Sequence, residues 1–283
     1  MRIKDILEEA AKNLPAKNNR DIAVRGGNSG IYKNGVNYAE SAGSCFRMIS
    51  LRAHGLQEPL DLRSHMTFKL GFAWEALFEE LLKASPEFSD VQSQVVVEEP
   101  GAVPWRGTAD FVAIYKGKPI LFDSKSVTSM NSYTKYLIDN KPNTAYVAQL
   151  ARYMLAMNIY TAYLVYGAFL YVGKAHVTSG QWDKMGFSPA SPTVSQTLIE
   201  IRGTEIYIED VLQSFGTEDI LAHTKHAQHL LANSLVEIPR PVSTGGLPPC
   251  AYCHFRRACL RFEQENQPTE ALGAFLAYAK AEI

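Results

Sequence analysis

Three side chains in the middle of the chain have the types and spacing to do chemistry together: Asp110, Asp123 and Lys125. They lie in GTADFVAIY (107–115) and PILFDSKSV (119–127), two stretches that read as strands. With Lys116 to Pro119 as the tip of a hairpin, pairing Lys116 with Pro119 sets Asp110 opposite Lys125 and Val112 opposite Asp123. Opposed residues share a face, as do residues two apart on one strand, so the two carboxylates and the ammonium gather on one side. Unpaired charges are costly to bury. A divalent cation changes that balance, because Mg²⁺ takes hard oxygen ligands and keeps several waters. Such an ion can hold a phosphate oxygen and activate a water, while the lysine offsets developing charge. A surface strand with alternating polar residues fits the same pattern.

Two helices supply further candidates. Glu75 and Glu79 lie four apart on the expected helix Thr67–Ala84, so they share a face. Either could act as a third metal ligand, or both could form a solvated face. On the expected helix Thr144–Met157, Gln149 and Tyr153 are also four apart, with Tyr146 one turn earlier. Such a stripe could hydrogen-bond the lysine and a phosphate, or simply face water.

The four cysteines form a second group. Cys250, Cys253 and Cys259 sit in CAYCHFRRAC, and Cys45 stands far away. Four thiolates suit a [4Fe-4S] cluster or tetrahedral zinc. CAYCH also matches the C-x-x-C-H pattern of haem attachment, but that leaves Cys45 and Cys259 unused. A site shared by Cys45 and Cys250 would close a loop of about 200 residues and strongly constrain the unfolded chain.

These groups need a scaffold. The pattern over 91–173 runs strand, hairpin, helix, strand, with a helix before it. Residues 174–200 are ambiguous, and a helix is expected over about Ile208–Leu235. The expected fold is therefore α/β: a short mixed sheet flanked by helices. Composition narrows the function. The 283 residues are 46% hydrophobic and 20% charged, an ordinary globular balance. Lys and Arg total 28 against 29 Asp and Glu, for a net charge of −1. That excludes binding nucleic acid through bulk positive charge and leaves a local groove. No apolar run approaches the ~18 residues of a membrane span. The opening MRIKDILEEAAKNL carries charges where a signal peptide is apolar, so a cytoplasmic chain is expected.

The residues, taken in order, resemble a known family. Gly71…Glu75, Gly107…Asp110, Asp123-Ser124-Lys125 and Gln149…Tyr153 match the motifs of the PD-(D/E)XK nucleases, RecB-like exonuclease branch. One cysteine before these motifs and three after them resemble the iron–sulfur subgroup, which includes the AddB nuclease domain and CRISPR-associated RecB-like exonucleases. The resemblance spans residues 45 to 259 and implies a restriction-endonuclease-like core. It implies that Glu75, Asp110, Asp123 and the backbone carbonyl of Ser124 hold Mg²⁺ or Mn²⁺, and that Lys125 is catalytic. Gln149 and Tyr153 would support the lysine and the DNA strand. Cys45, Cys250, Cys253 and Cys259 would hold a [4Fe-4S] cluster, with zinc as the alternative occupant.

The implied activity is metal-dependent hydrolysis of DNA, single-stranded or with an accessible end, by an exonuclease. A non-catalytic nucleic-acid-binding or scaffold protein of the same fold is the alternative. Glu75 stands where the CRISPR-associated relatives have His, and Asp123 where Glu is commoner. The first departure points toward phage-encoded members, and so to a host cytoplasm, and leaves a recombination, replication or CRISPR-type protein partner open. The implied organisation is a segment 1–60 contributing Cys45, a nuclease core 61–200, and a helical region 201–283 with the other cysteines.

Overall fold

The computed structural model describes residues 62–100, 105–168 and 194–232, together with Ile6. Cys45, Cys250, Cys253 and Cys259 lie outside the described residues. Within them the chain runs α1 (Leu62–Ala84), β1 (Phe88–Glu99), β2 (Trp105–Tyr115) and β3 (Lys118–Val127). A short helix α2 (Met130–Tyr133) then continues into a π-helical turn at Thr134–Ile138. Next come α3 (Thr144–Met157), β4 (Thr161–Ala168), β5 (Val194–Arg202), β6 (Glu205–Ile208), β7 (Val211–Gly216) and α4 (Thr217–Ala232).

The seven strands form one sheet in sequence order. Every pairing is antiparallel except β3 with β4, which is parallel. Parallel neighbours need a long crossover, and here it carries α2 and α3. The sheet is mixed and flanked by helices, as expected, but it is not short. It runs on to Gly216, and the helix expected from Ile208 starts only at Thr217.

Two apolar clusters explain the layering. Trp74, Phe78, Leu81 and Leu82 of α1 pack on Phe111, Ala113, Ile120, Phe122, Tyr163 and Val165. Phe78 meets Phe111 and Phe122 edge-on, at ring-centroid distances of 5.4 and 5.9 Å; each such pair adds about 0.5–1.5 kcal/mol beyond burial. Val147, Leu150, Ala151 and Met154 of α3 pack with Leu121, Val127, Ala162, Leu164 and Tyr166. The alternation along β3 follows the period of two: Ile120 and Phe122 go to the α1 side, Leu121 and Val127 to the α3 side.

Helix α3 has the bounds its sequence predicts. Its Ala, Leu and Met content favours a helix. Asn143 caps the start, its Oδ1 accepting from Ala145 N at 2.9 Å, and Asn158 ends it at φ 54°.

The β2–β3 hairpin differs from the expected register. Tyr115 pairs with Lys118, and Lys116 and Gly117 form a two-residue turn with φ of 49° and 76°. Two successive positive φ values mark the turn whose twist matches its flanking strands. The tip lies one residue earlier than expected on each side. Phe111 accordingly faces Phe122, and Val112 faces Leu121 rather than Asp123. A slip of one residue on both strands preserves side-chain parity. Asp110, Asp123 and Lys125 therefore still belong to one side, although their partners across the ladder change.

Candidate active site

The ladder between β2 and β3 stops at Phe111 and Phe122. Beyond that pair, β2 continues against β1 alone, and β3 continues against β4 alone. The two strands part at the position of Asp110 and Asp123. At this fork the Asp110 carboxylate replaces the missing strand partner: its Oδ2 accepts the Ser124 N–H at 2.9 Å. Ser124 Oγ lies 3.5 Å from the same oxygen. Asp123 is buried at 2% exposure. Lys125 Nζ donates to its Oδ1 at 2.9 Å and lies 2.8 Å from Oδ2. Burial works against the Lys125 ammonium, but the carboxylates of Asp123 and Asp110 outweigh it and raise its pKa above the ordinary lysine value. The lysine is thus held charged, with both acids acting on it.

Helix α1 brings Glu75 to the neighbouring strand. Gln94 occupies the register position facing Asp110, between Ser93↔Phe111 and Val95↔Ala109. Its backbone is left-handed at φ 54°, and its Nε2 donates to Glu75 Oε2 at 3.4 Å. Glu75 is thus placed on Gln94 of β1. Glu79 is buried instead against Lys83 Nζ at 2.7 Å and Ser93 Oγ at 2.9 Å. Among the described residues, no group of three or more His, Cys, Asp or Glu side chains is placed to hold a metal ion. The fork offers two hard carboxylates, a donor set that suits an ion completing its shell with water and phosphate oxygens.

Helix α3 meets the fork at two levels. Near its start, the Tyr146 ring lies under the Lys125 ammonium, 5.1 Å from Nζ to the ring centroid. Tyr166, in register with Lys125 on β4, is buried, and its hydroxyl accepts from Asn143 N at 3.3 Å. Burial pushes the Tyr166 phenol up despite that bond. Tyr136 of the π-helical turn stacks on Tyr166 at 4.5 Å, and its carbonyl accepts from Ser195 Oγ.

Near its end, α3 places Tyr153 against β2. The Tyr153 hydroxyl accepts from Thr108 N at 3.0 Å, and its ring meets Trp105 edge-on at 5.8 Å. Gly107 lies beneath that ring: a Cβ there would stand 2.5 Å from Tyr153 Cε1. Gln149, one turn before Tyr153, is buried. The structure thus brings Asp110, Ser124, Asp123 and Lys125 together, sets Glu75 behind Gln94, and turns Tyr153 to the β2 backbone. Tyr146, whose ring faces the lysine, stands outside the motif residues. Its spacing three before Gln149 is the signal that marks it.

Arg152 fastens the same helix to the sheet. It is 1% exposed, stacks on Trp105 at 4.0 Å, and pairs through both terminal nitrogens with Glu99. Glu99 is partly exposed, so the two ends of the pair are unequal. Glu99→Ala leaves a buried guanidinium without its counter-charge and is expected to cost about 2 kcal/mol, below the full penalty because water reaches the site. Arg152→Met removes the buried charge itself and should cost less. Urea unfolding of both variants checks the ranking.

No helix of the described residues is long and apolar enough to cross a membrane. No protein-family model matches the sequence, and no curated protein matches it. Among solved structures, the chain is similar to the crystal structure of a phage-related exonuclease from Haemophilus somnus 129PT. The identity is 13% and the TM-score 0.43, with 66% of this chain and 79% of that one covered. It is also similar to an alkaline exonuclease from Laribacter hongkongensis, at 10% identity and a TM-score of 0.43, covering 81% of this chain and 87% of that one.

Proposed function

We propose that the chain is a metal-dependent deoxyribonuclease acting at the fork between β2 and β3. The observation that carries this reading is the meeting of Asp110 and Asp123 with Lys125 where the two strands part. Asp110 and Asp123 would hold Mg²⁺ or Mn²⁺, with the Ser124 carbonyl beside them and Glu75 contributing through the helix. A cation bound there supplies Lewis acidity to a phosphate oxygen and lowers the pKa of a water. Lys125 presents its ammonium to the scissile phosphate and offsets charge on its oxygens. Asp110 ties β2 to β3 through the Ser124 amide, and Tyr153 ties β2 to α3 through the Thr108 amide, so both strands are anchored beside the acids. The substrate is DNA with an accessible end, and the mode exonucleolytic.

The test uses end-labelled single- and double-stranded DNA with Mg²⁺, Mn²⁺ or a chelator. Cleavage that needs the metal supports the reading; tight DNA binding without cleavage favours a binding protein of the same fold. Cys45, Cys250, Cys253 and Cys259 are proposed to hold a [4Fe-4S] cluster, with zinc the alternative. Iron, sulfide and zinc content per chain of anaerobically purified protein decides between them. Since binding at a site absent from the unfolded chain is folding free energy, Cys45→Ala and Cys253→Ala should lose the metal and melting temperature to similar extents.

A further inference from the structure

We propose that Tyr146 is a positioning residue for Lys125, its ring face fixing the ammonium beside Asp123. The kinetic half of this inference rests on the nuclease reading; the placement of Lys125 does not. Lysine carries a compact charge on a four-carbon stem with large rotamer freedom, so one ion pair holds it loosely. Here two different partners confine it. Asp123 receives the ammonium at 2.8–2.9 Å, and the Tyr146 ring lies 5.1 Å from Nζ. The two differ in what a metal does to them. A carboxylate shared with a divalent cation gives up much of its attraction for the lysine, and the cation repels the ammonium. An aromatic face does not displace the oxygen shell of a hard divalent cation in water, whereas a lysine ammonium can lie partly desolvated on it. The ring therefore remains as the lysine's fixed partner when the carboxylates are engaged.

The ring is itself held in place. Tyr146 sits in the first turn of α3, whose start is fixed by the Asn143 cap. The Asn143 backbone amide bonds the hydroxyl of Tyr166, the residue in register with Lys125 on β4. Strand and helix are thereby tied together within a few residues of the ammonium.

The experiment reads position and turnover separately. An amine-reactive ester is applied to the metal-free protein at fixed pH. Labelling of Lys125 is followed by peptide mass spectrometry, with the exposed Lys116 and Lys118 as internal references. Tyr146→Leu should label Lys125 several-fold faster than wild type, and Tyr146→Phe about as slowly as wild type. With DNA and Mg²⁺, Tyr146→Leu should lower kcat about tenfold with KM little changed, the size of a partly desolvated ammonium–ring contact. Tyr146→Phe should stay within about threefold of wild type, because the ring face is kept.

Phenylalanine analogues carrying one to several fluorines at position 146 keep the shape and drain the ring face of negative charge. They should speed Lys125 labelling and lower kcat in step with fluorination, which also covers the case of a Leu variant that fails to fold. Unchanged labelling across the fluorinated series overturns the proposal. So does a Tyr146→Phe variant as impaired as Tyr146→Leu, since that would assign the role to the hydroxyl. A wild-type protein without nuclease activity whose Lys125 labelling still follows ring charge upholds the positioning and sinks the nuclease reading instead.

Discussion

Asp123→Asn is expected to lower metal-dependent DNA cleavage by about a thousandfold or more, a loss of several kcal/mol of transition-state stabilisation. The substitution removes a negative charge and keeps the shape of a side chain that is 2% exposed. It also frees Lys125 from its nearest counter-charge. Asp110→Asn should act similarly while sparing the fold, because its amide oxygen can still accept the Ser124 N–H. Asp110→Ala cannot, and would add the roughly 1–3 kcal/mol cost of an unsatisfied buried amide. That stability loss would be mistaken for a catalytic one, so the isosteric change is the cleaner test. Lys125→Ala should also abolish turnover without weakening DNA binding to the same degree. Rates are measured under saturating metal, with the folded fraction checked by circular dichroism. Near-normal cleavage from any two of Asp123→Asn, Asp110→Asn and Lys125→Ala would remove the fork as the active site.

That Asp110, Asp123 and Lys125 share a side is legible in the sequence, because side-chain parity survives errors that register does not. A hairpin tip one residue later sets Asp110 opposite a different partner but keeps all three groups on one side. The register itself depends on the turn. Lys116-Gly117 adopts two positive φ values with a lysine in the first position, where Asn or Asp is the usual marker. The same feature hid the end of the sheet. Glu209 and Asp210, at φ 47° and 65°, form the two-residue turn between β6 and β7. An acidic pair followed by an apolar residue also fits the first turn of a helix, so these residues do not mark the turn.

The setting of helices against the sheet was less legible still. Helical spacing says that Glu75 and Glu79 share a face, and that Tyr146, Gln149 and Tyr153 share another. It does not say which turn meets the acids. That depends on crossing angle and on how far each helix slides along the strands. In the structure α1 sinks Glu79 onto Lys83 and Ser93 and sets Glu75 on Gln94, while α3 gives Tyr146 to the lysine and Tyr153 to β2.

Gly107→Ala is expected to destabilise the protein by about 2–4 kcal/mol, combining overpacking with a weakened hydrogen bond. The sign is informative. In an ordinary strand, replacing Gly by Ala is favourable by about 0.5–1 kcal/mol, because the unfolded chain loses freedom. Here the added Cβ would stand 2.5 Å from Tyr153 Cε1, 2.8 Å from its hydroxyl oxygen and 3.0 Å from Cζ. The ring has little room to yield: it is 1% exposed, packed on Trp105 and bonded to Thr108 N. Either Tyr153 gives up that bond, or β2 moves away from α3. The second response would carry Asp110, three residues along the same strand, out of line with Asp123, and turnover per folded molecule would fall as well. A double-mutant cycle isolates the cause. Tyr153→Leu alone should be costly, because it opens a cavity and leaves the Thr108 amide without its acceptor. In that background Gly107→Ala should cost much less, giving a coupling of about 1–3 kcal/mol between the two positions. Urea unfolding of the four proteins measures it. If the two substitutions prove additive, the ring is not what excludes a side chain at position 107, and the pairing of glycine and tyrosine across β2 and α3 has some other origin.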